Sequence, residues 1–112
     1  MKSILQLLFI FSITICTSQE VAVLKYGGGG DWYGNPTALP NLVRFCNAQV
    51  NTAIATQTET VDPGSIDIFD YAFLHMTGHG NVFFSTEEAE NLRNYLMSGG
   101  FLHIDDNYGM DE

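Results

Sequence analysis

The sequence predicts one α/β domain, with a mainly parallel β-sheet and helices on its faces, and three observations support that fold class. The chain has 112 residues, which is enough for a single domain, and its 46% hydrophobic content excludes collagen-like and disordered proteins. Candidate strands alternate with candidate helices, which predicts right-handed crossovers between parallel strands. The strands are also continuous apolar runs, a pattern typical of strands that are covered on both faces.

The first strand is predicted over Val21–Tyr26 and ends at the glycine run Gly27–Gly30. Asn35 is a suitable N-cap for the following helix, and Pro36 suits its first position. The helix should end near residues 47–50, and its apolar residues at helical spacing are Leu39, Leu42, Val43 and Cys46. We expect Cys46 to be a small buried hydrophobe within this pattern.

The rest of the chain predicts three further strands and one helix. A Thr-rich stretch over residues 52–60 is a candidate second strand, Tyr71–Met76 is the strongest candidate, and Phe101–Ile104 is the last. Ser85 and Glu88 have the spacing of a capping box, which predicts that a helix begins there. That helix should stop at two consecutive glycines, and its apolar stripe comprises Ala89, Leu92 and Leu96, with Tyr95 beside them.

Residues 1–18 have the pattern of a signal peptide. The start is positively charged, residues 4–15 are almost entirely apolar, and the small residues Cys16 and Ser18 precede a suitable cleavage site. The apolar run is shorter than the roughly 17–25 residues of a membrane-spanning helix, although an uncleaved membrane anchor is the alternative. The prediction is an exported protein, periplasmic or extracellular, in which residues 19–112 belong to the domain and make no membrane contact after cleavage.

The charge of the chain limits its partners. There are 13 Asp and Glu residues against 4 Lys and Arg residues, which gives a formal net charge of -9. Such a surface repels the phosphate groups of nucleic acids and of anionic lipids. We therefore expect no nucleic-acid partner. A small molecule is the possible ligand, and the sequence leaves the cofactor and the oligomeric state open.

The functional site is expected at the carboxyl ends of the strands, because ligands of open parallel sheets bind there. Three strands end in polar or glycine-rich segments that should come together, at residues 27–32, 78–80 and 103–107. Asp105 and His79 are the candidate catalytic residues. The candidate ligand-binding residues are Gly28, Gly29, Gly30, Asp31, Trp32, Tyr33, Gly78, Gly80, His103, Asp106 and Asn107.

The chemistry of these residues leaves several roles open. His103 and Asp105 are two residues apart on a strand and should share one face, whereas Asp106 should begin the following loop. Together with Asp31 and His79 they have the chemistry of a divalent-metal site, but the chain lacks a closely spaced ligand pair, so no metal ligand is assigned. Hydrogen bonding that holds the loops is favoured over a metal, and a general acid or base role for Asp105 or His79 is the third option.

The glycine run and the aromatic residues after it also have two interpretations each. The glycines favour a sharp turn or a close ligand approach over phosphate binding, because they lack the lysine of a phosphate loop and precede Asp31. Trp32 and Tyr33 are a candidate stacking platform for a sugar ring, although packing over the sheet edge is slightly favoured. His75 lies inside an apolar strand, where a histidine is more often a satisfied core residue than a ligand.

Three strings are unusual enough to indicate a family: GGGGDWY (27–33), TGHGN (77–81) and GGFLHIDDNYG (99–109). Over residues 21–111 the chain resembles the bacterial family called domain of unknown function 4159. The resemblance implies a flavodoxin-like or glutamine amidotransferase-like three-layer sandwich, related also to trehalose-utilisation-like folds. Members of that family are longer, which agrees with a separate expectation that the domain is incomplete at its C-terminus, because no helix follows to cover the last strand.

The resemblance also bears on the reaction. In glutamine amidotransferases a strand after a glycine-rich helix end leads to the nucleophilic cysteine, and Asp105 stands at the matching position here. A carboxylate cannot perform the thiol chemistry of amide hydrolysis in the same way, so amidotransferase activity is not expected. Two hypotheses remain: a domain that binds a small polar or carbohydrate-like ligand at the C-terminal edge of the sheet, and, as the alternative, a hydrolase-like enzyme that uses Asp105, Asp106 and His79, with or without a metal.

Overall fold

The computed structural model describes residues 20–110, and the predicted signal peptide at residues 1–18 lies outside them. The strands are β1 (Val21–Leu24), β2 (Glu59–Val61), β3 (Phe73–His79) and β4 (Phe101–Tyr108); the helices are α1 (Ala38–Gln49) and α2 (Thr86–Met97), and a 3₁₀ turn spans Ile66–Asp70. Between residues 20 and 110, no helix has the length and apolar character needed to cross a bilayer.

All four strands are parallel, which confirms the predicted fold class. Their order is β2-β1-β3-β4, so β1 is paired with both β2 and β3. The chain passes from β1 to β2 on one side and then crosses to the other side of β1 to form β3. The strand order thus reverses between β1 and β3, and the carboxyl ends of these two strands border the crevice in which ligands of open parallel sheets bind.

The sheet face under α2 holds the main hydrophobic core. Its central residues are almost completely buried: Ala22, Leu24, Ile68, Leu74, Met76, Leu92 and Tyr95. The Tyr95 hydroxyl lies 3.0 Å from the carbonyl oxygen of Tyr71 and 3.2 Å from that of Phe101. A buried tyrosine usually finds such a partner, and here the bond fixes α2 to the starts of β3 and β4.

The opposite face of the sheet is covered only in part. Helix α1 packs there through Leu39 and Val43, which contact Val21 of β1. Over β3 and β4 this face carries the stacked rings of Phe73 and Phe101, whose centroids are 5.5 Å apart. Phe101 is 58% exposed, so the β4 side of this face is accessible in the described part of the chain.

The start of α1 differs from the prediction. The helix begins two residues later than expected, with Thr37 at the N-cap and no side-chain cap bond. Asn35, the predicted cap, has a φ of 53°, and its side-chain amide donates to Thr77 and Asn107 instead. The amide is therefore engaged across the sheet edge and cannot cap the helix. The predicted end of α1 near residues 47–50 is confirmed.

Strand β2 is shorter than the predicted range 52–60, since it includes only Glu59–Val61. The earlier part of that range is bound to α1 instead. The Asn47 side chain accepts from the Thr52 hydroxyl at 2.8 Å and from the Ile54 N–H at 3.0 Å, and it donates to the Ile54 carbonyl at 2.9 Å. These three bonds hold Thr52 and Ile54 against the C-terminal part of α1.

Two strands extend further toward the functional edge than predicted. Strand β3 continues three residues beyond Met76, and β4 continues four residues beyond Ile104, while β1 ends two residues before Tyr26. The pairing of β3 with β4 persists to Tyr108, with a register shift at Gly78 and His79. The polar ends of these strands are therefore held in the sheet.

Helix α2 follows the prediction at both ends. The Ser85 hydroxyl accepts from the Glu88 N–H at 3.2 Å, and the Glu88 carboxylate accepts from the Ser85 N–H at 2.7 Å, which confirms the capping box. Gly99 has a φ of 103°, the left-handed conformation expected at a helix C-terminus.

Three expectations about burial are wrong. Leu42 is 46% exposed, since only Leu39 and Val43 of α1 are buried. Leu96 is 46% exposed, because Tyr95 is the residue of that turn that faces the strands. Cys46 is half-buried, since it lies one turn beyond Val43, the last fully buried residue of α1.

Candidate functional site

One polar pair at the carboxyl edge joins the loop after β1 to the end of β3. Asp31 Oδ2 lies 3.0 Å from His79 Nδ1, and Asp31 Oδ1 accepts from the His79 backbone N–H. That backbone bond, followed by the bond and charge of the ring, lowers the pKa of the Asp31 carboxyl below its ordinary value of 3.8. The His79 side chain is 58% exposed. The structure thus brings two of the predicted site residues together in an exposed pair that ties two segments to each other.

Three of the five glycines predicted to bind ligand allow close backbone contacts instead. A Cβ on Gly30 would lie 2.7 Å from the carbonyl oxygen of Asn81, and one on Gly78 would lie 2.9 Å from that of Asp31. A Cβ on Gly28 would meet a backbone nitrogen at 2.7 Å. These distances favour the turn interpretation of the glycine run. The other two predicted glycines, which have positive φ and no such neighbour within 3.8 Å, are Gly29 and Gly80.

The two predicted carboxylates of β4 do not lie side by side. Asp105 and Asp106 are consecutive strand residues, so their side chains leave opposite faces of the sheet. Asp105 is in register with Thr77 on the α1 face, whereas Asp106 accepts from the Met110 N–H at 3.3 Å. The expectation that Asp106 begins a loop is wrong, because the pairing with β3 continues past it. The two carboxylates therefore cannot converge on one bond of a substrate.

A pocket of about 190 Å³ lies on the α1 face of the sheet, beside the crevice between β1 and β3. It is lined by Val23, Trp32, Tyr33, Gly34, Asn35, Pro36, Leu39, Thr58, Thr60, His75 and Thr77. Two of the predicted ligand-binding residues, Trp32 and Tyr33, are among them. Their rings are arranged edge to face, with the ring centroids 5.5 Å apart. These lining residues include no Asp, Glu, Lys or Arg. The other predicted site residues lie outside the pocket wall.

A hydrogen-bond network fixes the rim of the pocket. Thr77 is buried, and its hydroxyl oxygen accepts from the side-chain amides of Asn35 and Asn107, at 3.4 and 3.3 Å. The Asn35 amide also lies 3.2 Å from Asn107 Oδ1. Asparagine tolerates the positive φ that this position requires. Asn107, a predicted ligand-binding residue, therefore positions the loop that carries Trp32 and Tyr33.

A pair of histidines lies next to the pocket, and His75 is the member that lines it. His75 and His103 are directly paired in β3 and β4, and their Nδ1 atoms are 3.0 Å apart. The ring centroids are 5.2 Å apart, and the ring planes differ by only 14°. Because the nitrogens are much closer than the ring centres and the rings are nearly parallel, the two rings meet edge to edge. This is the geometry of an N–H···N hydrogen bond between the two Nδ1 atoms.

His75 is a core residue, but it is not satisfied. It is 7% exposed, and its Nε2 has no hydrogen-bond partner among residues 20–110. Burial, and then the neighbouring His103, lower the pKa of His75 below its ordinary value of 6.5, while Asp105 acts in the opposite direction. An unsatisfied buried polar atom costs about 1–3 kcal/mol, so such an atom in a folded protein calls for an explanation.

The sequence contains a signal for this pair that the strand-by-strand analysis missed. The tripeptide Phe-Leu-His occurs at residues 73–75 and again at 101–103, and the two copies are in register in neighbouring strands. A metal is not indicated at this position: in the part of the chain that the structure describes, no three His, Cys, Asp or Glu residues are grouped so as to hold a metal ion.

Comparison with known proteins places the chain in a family. The family model described as "Domain of unknown function (DUF4159)" matches residues 20–112. No curated protein matches the chain significantly. The description of the family names no reaction.

Proposed function

This chain belongs to the DUF4159 family, and we propose that it binds a small, neutral, polyhydroxylated molecule, of the size of one sugar ring, in the pocket on the α1 face of the sheet. The observation that carries the proposal is the composition of the pocket wall. The aromatic rings of Trp32 and Tyr33 stand beside the side chains of Asn35, Thr58 and Thr60. An apolar wall with a few placed polar groups is typical of small-molecule sites, and a sugar ring offers matching C–H and hydroxyl surfaces.

The size of the pocket supports a small ligand. Its volume is about 190 Å³, which is below the roughly 300–1,000 Å³ of sites for drug-sized molecules. The wall is held in place from two sides. Lys25 Nζ lies 5.7 Å from the centre of the Trp32 ring, and the buried Thr77 holds the loop through Asn35.

The charge around the pocket supports a neutral ligand. The chain carries a formal net charge of -9, and Asp31 and Asp105 lie at the same edge of the sheet. No lysine or arginine lines the pocket to neutralise an anion. An anionic ligand would therefore be repelled without a compensating partner.

The chain provides its own reporter for a binding test, because Trp32 is its single tryptophan. We expect the fluorescence of Trp32 to change when a hexose or pentose is added, and we expect the same sugar to bind by calorimetry. The variant Trp32→Ala should lose the calorimetric signal. Phe45→Ala is the matched control, since Phe45 is 62% exposed on α1 and does not line the pocket. Equal affinity in both variants, or no binding by any sugar, would contradict the proposal.

We also propose that the protein is exported and that the leader is removed after Ser18. The support is the sequence pattern of residues 1–18 alone. Amino-terminal sequencing of the protein from the medium or periplasm of expressing cells should then begin at Gln19. Recovery of the intact chain from the membrane fraction would favour the uncleaved anchor.

A relationship to glutamine amidotransferase-like folds is a further proposal, and it comes without the amidotransferase reaction. By the sequence resemblance Asp105 matches the position of the nucleophile, and in the structure it lies within β4. We expect no release of ammonia from glutamine. Measurable glutaminase activity that survives Asp105→Ala would show that the reaction uses another residue.

The exposed Asp31–His79 pair supports a second candidate function, a hydrolase-like enzyme. A carboxylate that orients an exposed imidazole is the arrangement of a general base. We expect this activity, if present, to appear as hydrolysis of p-nitrophenyl esters or glycosides that falls at least tenfold in His79→Gln. A rate that is unchanged in His79→Gln, with and without added divalent metal, would exclude the pair as its source.

A further inference from the structure

The atom that carries a further inference is His75 Nε2. His75 lines the pocket, and Nε2 is buried without a hydrogen-bond partner in the described part of the chain. The Nδ1 atom faces His103 on β4, so Nε2 lies on the other side of the imidazole ring, toward β1. On that side the paired residue of β1 is Val23, which also lines the pocket. The unpartnered nitrogen thus belongs to a ring that lines the pocket, and it lies on the side of that ring away from β4.

The hydrogen bond between the two rings fixes which nitrogens carry protons. In a neutral pair only one Nδ1 can be protonated, and it donates to the other. If His75 accepted that bond, its proton would be on Nε2, which would be a buried N–H without a partner. Buried N–H groups without a partner are rarer than under-satisfied acceptors. The favoured state therefore has the proton of His75 on Nδ1 and a bare lone pair on Nε2, while the proton of the exposed His103 is on its Nε2, which can face water.

We propose that His75 Nε2 is the acceptor through which the pocket selects a hydroxyl group of its ligand, and that His103 is the positioning residue that keeps His75 in the accepting tautomer. The inference rests on the proposed function, because it names the group of the ligand that the pocket recognises. A hydroxyl hydrogen can bond to a bare lone pair, whereas ether, carbonyl and carboxylate oxygens cannot. The pocket therefore favours polyols over molecules that offer only acceptors.

The tautomers can be measured without any ligand. Long-range ¹H–¹⁵N spectra of the full chain at about pH 7.5 distinguish protonated from bare imidazole nitrogens. We expect His75 to show a protonated Nδ1 and a bare Nε2, and His103 to show the reverse. In His103→Phe the aromatic contact with Phe73 is retained and the acceptor is removed, so His75 should change to a mixture of tautomers. Phe101→Leu, which alters the same strand without touching a nitrogen, should leave the spectrum of His75 unchanged.

The selected group of the ligand can be measured with D-glucose, D-galactose and D-mannose and their monodeoxyfluoro derivatives. Fluorine replaces one hydroxyl at a time and cannot donate. For a sugar that binds, we expect one derivative to bind wild type about three- to tenfold more weakly, the worth of one hydrogen bond. This difference should vanish in His75→Phe, because the acceptor is gone.

The outcomes separate this inference from the proposed function. A protonated Nε2 on His75 in a chain that binds sugars overturns the acceptor role and leaves the binding function intact. The acceptor role is also overturned if all monodeoxyfluoro derivatives lose affinity equally relative to the parent sugar, in wild type and in His75→Phe alike. The binding function again stays intact in that case. If no sugar binds wild type, the proposed function fails, and the hydroxyl selection fails with it even where the tautomers are as expected.

Discussion

His75 and His79 lie four residues apart on β3, and each forms a hydrogen-bonded pair with another side chain. The two pairs differ in exposure and in the atoms that are bonded. His79 is exposed, and both its ring and its backbone bond to Asp31. His75 is buried, and it bonds to His103 through one nitrogen only. The exposed pair is explained by the segments that it joins, whereas the buried pair keeps a polar atom that the fold itself does not use. The polar contacts of the exposed pair are therefore used within the fold, whereas His75 Nε2 is left without a partner in the described part of the chain.

The largest expected effect comes from Gly78→Ala, which acts between the two pairs. The nearest atom to a Cβ at this position would be the hydroxyl oxygen of Tyr26, followed by two oxygens of Asp31 at 2.9 Å, and the backbone has a φ of 147°. Overpacking and backbone strain together should lower the free energy of unfolding by about 2–4 kcal/mol in urea denaturation. Gly64→Ala is the control, since its Cβ would meet only a flexible side chain, at 3.4 Å. A loss in Gly78→Ala no greater than that of the control would show that Asp31 is not held tightly against β3.

The same contrast shows how much of the site the sequence could predict. Asp31 follows the apolar strand β1, and His79 ends the apolar strand β3. Since parallel strands bring their carboxyl ends to one edge of the sheet, the proximity of these two residues could be predicted from local patterns. The fold class was predictable for the same reason, since each strand and helix of the alternating pattern is visible in residues close together in the chain. The capping box of α2 is local in the same sense. The capping bonds of Ser85 and Glu88, for example, span three residues.

The residues that the sequence analysis missed depend on pairing between distant segments. His75 bonds through Nδ1 to His103, which β4 places beside it and which lies 28 residues further along the chain. Asn35 has the composition of a helix cap, but its amide bonds to Thr77 across the edge, 42 residues away. Local propensity cannot anticipate such competition, because the winning partner is set by the register of the sheet.

The next largest effect should be a gain in stability in His75→Phe. Phenylalanine at this buried position removes the unsatisfied nitrogen, while the exposed His103 can turn to water. We expect the free energy of unfolding at about pH 7.5 to rise by about 1 kcal/mol, and sugar affinity to fall about three- to tenfold through the loss of one hydrogen bond. The matched change in the exposed pair, His79→Phe, should give no such gain. Destabilisation of His75→Phe would mean that the bond to His103 outweighs the unsatisfied atom.

As the pH falls, the folded state should lose stability first through protonation of His75, and only at lower pH through protonation of Asp31. Burial lowers the pKa of His75 in the folded state below 6.5, so the unfolded chain takes up the proton first. The folded state therefore loses stability as the pH falls below about 6.5, and the loss levels off below the folded-state pKa. His103 strengthens this shift and Asp105 opposes it. Urea denaturation of wild type and His75→Phe at a series of pH values isolates the effect, and parallel curves for the two proteins would refute it.

The smallest effect should come from Asp31→Asn, which keeps an acceptor for the His79 backbone N–H and removes the charge. The pKa of Asp31 is lowered mainly by that N–H, so the carboxylate stabilises the fold above pH 3.8 and this contribution is lost as the pH falls through the folded-state value. Wild type should be only slightly more stable than Asp31→Asn at neutral pH, because exposed ion pairs contribute little. The difference should shrink below pH 3.8, as the carboxyl group of Asp31 takes up a proton. Sugar affinity should be unchanged, since Asp31 does not line the pocket. A marked loss of affinity in this variant would instead join the two histidine pairs into one site, with the exposed pair acting on the ligand.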